Sequence, residues 1–133
     1  MNRASGKRQK THRADALLRL RDAREFHGAG DDVRDTKPKA AISLFVQAGI
    51  AASDAVCGIA LGEYWRGDQH LGATTLLSEV TPDGKDLAKS LRVLLGMKDQ
   101  AQYSSRSFGD GELIRAERAS LALLTAADTR AAR

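Results

Sequence analysis

Arg66 and His70 are the two side chains of this sequence whose types and spacing best suit chemistry. They fall within Glu63-Tyr-Trp-Arg-Gly-Asp-Gln-His70, which also holds the single Trp, one of the two Tyr, and Asp68. A histidine has an ordinary pKa of about 6.5, so it can take up or release a proton near neutrality. An arginine carries a permanent charge on a planar fork of donors that matches phosphate oxygens. On a continuous helix, positions four apart differ by about 40° around the axis and share a face. Gly67 would alternatively permit a non-helical turn that brings Arg66 round by another route. The plain alternative is a surface turn whose polar groups bond only to nearby backbone.

The neighbours divide in the same way. Asp68 would orient His70, or would cap the helix that follows, the commoner role for an Asp at such a place. In the first turn of that helix, His70 would feel the positive end of the helix dipole, which favours neutral imidazole. Tyr64 and Trp65 would stack on a base, or anchor the turn against the body of the protein. Asp54 sits in an apolar helical pattern and needs a partner if buried; Arg66, His70 and Lys98 are the candidates. Lys98 and Tyr103, at the end of a later helix, would support the site or simply pack and cap. His12 belongs to the N-terminal tail and His27 to the inner stripe of the first helix. No metal-ligand spacing links the three histidines, and there is no Gly-rich phosphate loop or paired-carboxylate signature. No cofactor and no metal is expected. Cys57 is the only cysteine, which excludes an internal disulfide. Its apolar helical setting points to a buried, inert thiol.

These residues need elements to hold them, and the periodicity is helical throughout. Pro38 and Pro82, the only prolines, each suit the first turn of a helix. A first helix is predicted from about Arg13 to Ala29, with Leu17, Leu20, Ala23 and His27 on one stripe. Thr36 is a candidate cap for a second, from about Pro38 to Tyr64. That second helix is apolar on more than one side through Ala41, Leu44, Phe45, Ala48, Ala51, Ala52, Ala55, Gly58 and Ile59, so it should be central. A turn over Trp65 to Asp68 leads to a short third helix, Gln69 to about Val80, with Leu71, Leu76 and Leu77 inward. The fourth runs from about Lys85 to Tyr103 on Leu87, Leu91, Leu94, Lys98 and Ala101. The fifth runs from about Glu112 to Ala127 on Leu113, Ala116, Ser120, Leu123 and Ala127. The fold class is therefore all-α, an up-and-down helical bundle of four long helices plus one short helix.

Composition sets the bounds. A chain of 133 residues is one domain's worth and can bury a core without staples. Aromatics make up only 5%, so small side chains should bring the helices close. The net charge is +4, but Arg3, Lys7, Arg8, Lys10 and Arg13 face no acid within the first 13 residues, leaving the remainder at −1. Residues 1–12 read as a basic, disordered tail and 13–133 as the single helical domain. The tail would add salt-dependent affinity for nucleic acid or serve only solubility. No run reaches the roughly 20 apolar residues of a membrane span and no secretory signal stands at the N-terminus, so a cytoplasmic location is expected.

With the elements placed, the chain resembles a HEPN domain (higher eukaryotes and prokaryotes nucleotide-binding) in its small stand-alone form. The resemblance is carried by Ala48-Gly-Ile-Ala-Ala-Ser-Asp-Ala55, by Asp68-Gln-His70 with Leu76-Leu77 following, and by Leu94-Leu95-Gly-Met-Lys98 through Tyr103. It covers residues 14–130. The resemblance implies a helical bundle that forms a homodimer. Many members are metal-independent endoribonucleases of toxin–antitoxin or defence systems. Their motif, Arg followed by four to six residues and His, lies at the start of the third helix and across the dimer interface. Here three residues separate Arg66 from His70, one fewer than the family spacing. By resemblance Arg66 would hold the scissile phosphate of an RNA and His70 would act as base or acid for attack of the 2′-hydroxyl. The partners so implied are RNA, an antitoxin, or a nucleotidyltransferase. The rival is a non-catalytic interaction or nucleotide-binding module with an eroded motif.

Overall fold

The computed structural model describes residues 6–67, 70–103, 105 and 107–133. In chain order the elements are β1 (Gly6–Lys10), α1 (Arg13–Val33), α2 (Pro38–Leu61), β2 (Glu63–Gly67), α3 (His70–Ser78), α4 (Gly84–Tyr103) and α5 (Asp110–Ala131). The helical reading holds, with four long helices of 20 to 24 residues and one of 9. Helix α2 is the centre, as its all-round apolar pattern requires. Ala41, Ile42, Phe45, Val46, Ala48, Ala51, Ala52, Ala55 and Val56 on it are all fully buried. By length and composition α2 could cross a membrane, contrary to the sequence reading that no run reaches that size. Most of it is instead enclosed by the other helices. Pro38 opens it, and Gly62 ends it in the left-handed region at φ 69°, returning its N–H to the Gly58 carbonyl at 3.1 Å. That is a conformation glycine adopts without a Cβ penalty. Thr36 is not the cap: Lys37 holds that place without a side-chain bond, and the Thr36 hydroxyl bonds the Val33 carbonyl.

Small residues set the helix spacing. At Gly49, a Cβ would meet the buried Leu94 side chain of α4; at Gly58, Ala16 of α1; at Gly30, the Phe45 ring. Helices α1 and α5 are fastened by a buried polar contact, His27 Nδ1 to Ser120 Oγ at 2.8 Å. Arg34–Glu117 and Arg24–Asp128 add ion pairs along the same seam. His27 is therefore structural, as its place on the inner stripe suggests. Leu17 and Leu71 depart from their predicted inward places: both are exposed, and Ala16 takes the inward place beside Leu20 in α1.

Two corrections concern the ends of the bundle. The tail expectation fails over Gly6–Lys10, and the turn expected after α2 is instead the strand β2. The two pair antiparallel, with Lys7 opposite Arg66, Arg8 opposite Trp65 and Gln9 opposite Tyr64. Long-range pairing explains the difference, since neither five-residue segment has hydrophobic alternation of its own. Arg8 holds the strand down through ion pairs to Glu79 and Glu63. Trp65 lies between Gly6 and Gly72, where an added Cβ on either glycine would enter the indole.

Candidate functional site

The ribbon positions Arg66. Strand alternation sends Tyr64 and Arg66 to one face with their cross-strand neighbours Gln9 and Lys7, and Trp65 with Arg8 to the other. On the Arg66 face lies a cleft of about 630 Å³ lined by Gln9, Lys10, Thr11, Asp15, Ala16, Arg19, Asp54, Tyr64 and Arg66. Its walls come from four elements and the β1–α1 link: the ribbon, α1 and α2. A space of this size suits a small ligand or one nucleotide of a longer strand.

Asp54 is the most perturbed group there. Its side chain is 18% exposed, and both Nε and Nη2 of Arg19 donate to Oδ2 at 3.2 Å. Arg19 is held in turn by Asp22, at 3.3 Å from Nη1. Burial pushes the Asp54 carboxyl up to about 6, against the opposing pull of Arg19. The expected requirement for a partner is met, but by Arg19 rather than Arg66, His70 or Lys98. Antiparallel packing of α1 on α2 brings these two residues, 35 apart in sequence, together. The sequence signal was only an arginine on the flank of the α1 stripe. Three cations, Lys10, Arg19 and Arg66, thus share the cleft with two acids, Asp15 and Asp54. An anion can be held there, and Asp54 can exchange a proton in the weakly acidic range.

Arg66 is exposed at the mouth of this cleft. It does not share a helix with His70: Arg66 ends the ribbon, Gly67 stands at φ 128°, and His70 is the first residue of α3. Gly67 stands in backbone that residues with a Cβ rarely adopt. Asp68 lies outside the described residues, and His70 and Tyr103 are placed by backbone alone. Tyr103 ends α4, as expected, and Lys98 is half-buried on the same helix without lining the cleft. Tyr64 lines the cleft, whereas Trp65 is an anchor packed against the core. Its indole Nε1 is buried without a hydrogen-bond partner among the described residues.

Cys57 lies one turn beyond Asp54, 2% exposed, and burial pushes its thiol up to about 12. That is a structural thiol, not a nucleophile. Among the described residues no three His, Cys, Asp or Glu side chains gather as metal ligands.

The described residues define a five-helix bundle with a two-stranded ribbon, joining the N-terminal segment to the stretch after α2, and a mixed-charge cleft beneath it. No family model matches the chain, and comparison with curated proteins finds no match.

Proposed function

We propose that this is a HEPN-like RNA-binding protein that cleaves RNA without a metal, working as a homodimer. The observation that carries the reading is Arg66 in a cleft with Tyr64, Lys10 and Arg19, four residues before a histidine that opens a helix. Arg66 grips a phosphate through its fork of donors. Tyr64 offers a ring face to a base. His70, the first residue of α3, takes the 2′-hydroxyl proton in this reading. A second subunit docks on α3, where Leu71, next to His70, is a 70% exposed leucine.

The test is cleavage of a mixed RNA pool in excess EDTA by the wild type, Arg66→Ala and His70→Ala, with helical content checked by circular dichroism. Loss of cleavage in both folded variants is the expected result. Cleavage that survives both substitutions belongs to a contaminant and ends the reading.

A second reading has its own support. Arg66 and His70 lie on different elements, while Asp54, Arg19 and Tyr64 already line a cleft sized for one small ligand. A non-catalytic nucleotide-binding or interaction module of the same fold then follows. Its mark is calorimetric binding of a nucleotide, lost in Arg66→Ala, by a protein that cleaves nothing.

A further inference from the structure

Helices α4 and α5 leave a groove of about 280 Å³ between them, built from elements that take no part in the cleft. Lys89, Ser90 and Val93 form one wall; Arg115, Arg118 and Ala119 form the other. Arg92 lies one turn after Lys89 and opens into the adjoining hollow with Leu71 and Leu95. Lys89, Arg92, Arg115 and Arg118 are all exposed. None of their side chains makes an ion pair or hydrogen bond among the described residues.

That isolation is not shared by every arginine. Arg8, Arg19, Arg24, Arg34 and Arg130 each have a carboxylate partner. Of the acids on α5, Glu117 and Asp128 pair with Arg34 and Arg24, and Glu112 accepts from the Gly109 N–H. Asp86, one turn before Lys89 on α4, makes no ion pair with it. Other cations, Arg21, Lys37 and Lys85 among them, also form no ion pair among the described residues; what sets the groove apart is that Lys89, Arg115 and Arg118 all line it, with no acid in its lining. Like charges one turn apart, as at Arg115 and Arg118, weaken a helix slightly. Neighbouring helix axes lie about 8–10 Å apart, so the two rows of cations can hold one extended polyanion between them. Arginine forks fit phosphate oxygens, and the small apolar floor of Val93 and Ala119 leaves room for sugar rather than for a folded partner.

We propose that the α4–α5 groove is a second RNA-binding surface that grips the phosphodiester backbone through Lys89, Arg115 and Arg118, with Arg92 extending the track. The choice of RNA as the polyanion rests on the ribonuclease reading above. The groove lengthens the footprint beyond the cleft and makes affinity depend on strand length and on salt.

Two substrates separate this proposal from the cleavage reading. The first is a fluorescent single-stranded RNA long enough to span groove and cleft, 2′-O-methylated so that it cannot be cut. The second is an unmodified dinucleotide, too short to reach the groove. The variant Lys89→Ala/Arg115→Ala/Arg118→Ala changes exposed residues only, and its circular dichroism and thermal unfolding should match the wild type. It should bind the long RNA at least about tenfold more weakly at ~100 mM salt and flatten the log–log salt dependence by about 2. Its dinucleotide cleavage should equal that of the wild type. Unchanged affinity and slope would overturn the groove while leaving cleavage intact. Groove-dependent RNA binding by a protein that cuts no dinucleotide would overturn cleavage and keep the groove. Groove-dependent binding to phosphatidylserine vesicles, with none to RNA, would overturn RNA as the partner in favour of an anionic membrane.

Discussion

At the scale of single residues, Asp54 gives the sharpest expectation. Its folded pKa of about 6 lies above the ordinary carboxylate value of 3.8. Between those two values the folded protein holds a proton that the unfolded chain has released. Stability therefore falls as pH rises through this window, and the charged carboxylate is a burden at neutrality. The displacement corresponds to about 3 kcal/mol as an order of magnitude. Chemical denaturation from pH 4 to 7.5 should show the wild type losing stability relative to Asp54→Asn, which keeps the shape without the titration. Parallel curves for the two proteins would rule out the buried, perturbed carboxyl. Arg19→Ala adds a second check: it should cost about 1–2 kcal/mol at pH 7.5, discounted for the exposure of Arg19, and less at pH 5 where Asp54 is neutral. The need of Asp54 for a partner was legible in the sequence, because a carboxylate amid Ala, Val and Ile cannot be buried alone. The identity of that partner was not. It depends on the register of α1 against α2, which small residues such as Ala16 and Gly58 set by close contact.

Elements divide by the range of the forces that make them. The five helices could be read because apolar spacing is local and repeats along each segment. The predicted ends err by a few residues where fraying glycines fail to stop α1 at Ala29; it continues to Val33. The ribbon could not be read. GKRQK has no apolar residue, EYWRG has two adjacent ones, and their pairing joins segments more than fifty residues apart. What locks the ribbon is Trp65 between Gly6 and Gly72, so the two glycine classes in this fold should respond oppositely to alanine. Gly72→Ala must displace the indole and should destabilise by about 1–3 kcal/mol. As Trp65 is the only tryptophan, its emission should shift to the red. Gly28→Ala, in α1 with no atom within 4 Å of the added methyl, should stabilise by about 0.5–1 kcal/mol and leave the emission alone. Thermal unfolding with fluorescence reads both. A blue-shifted or unchanged emission in a fully stable Gly72→Ala would refute the packing of the ribbon on α3.

For the whole molecule, the question is whether one copy of the chain suffices. The central helix is enclosed by its own bundle, so no second copy is needed to bury the core. The proposed second copy bears on the site instead: Arg66 sits at the open mouth of the cleft, His70 begins a different element, and Leu71 beside it is exposed at 70%. A leucine costs up to about 1.5–3 kcal/mol to leave in water rather than bury, and an interface centred on α3 would remove that cost. The proposed dimer therefore predicts that Leu71→Asp converts the protein to a monomer at micromolar concentration, with thermal stability within about 0.5 kcal/mol of the dissociated wild type, since the side chain touches no core. Light scattering over a dilution series measures the first quantity, and unfolding at low concentration the second. If both subunits build the cleft, RNA cleavage should fall along the same dilution curve as the dimer, and Leu71→Asp should lie at its monomer end. A wild type that stays strictly monomeric at high micromolar concentration would remove the shared cleft, and with it the role of His70 across an interface. Activity would then have to come from Arg66, Asp54 and Arg19 within one subunit.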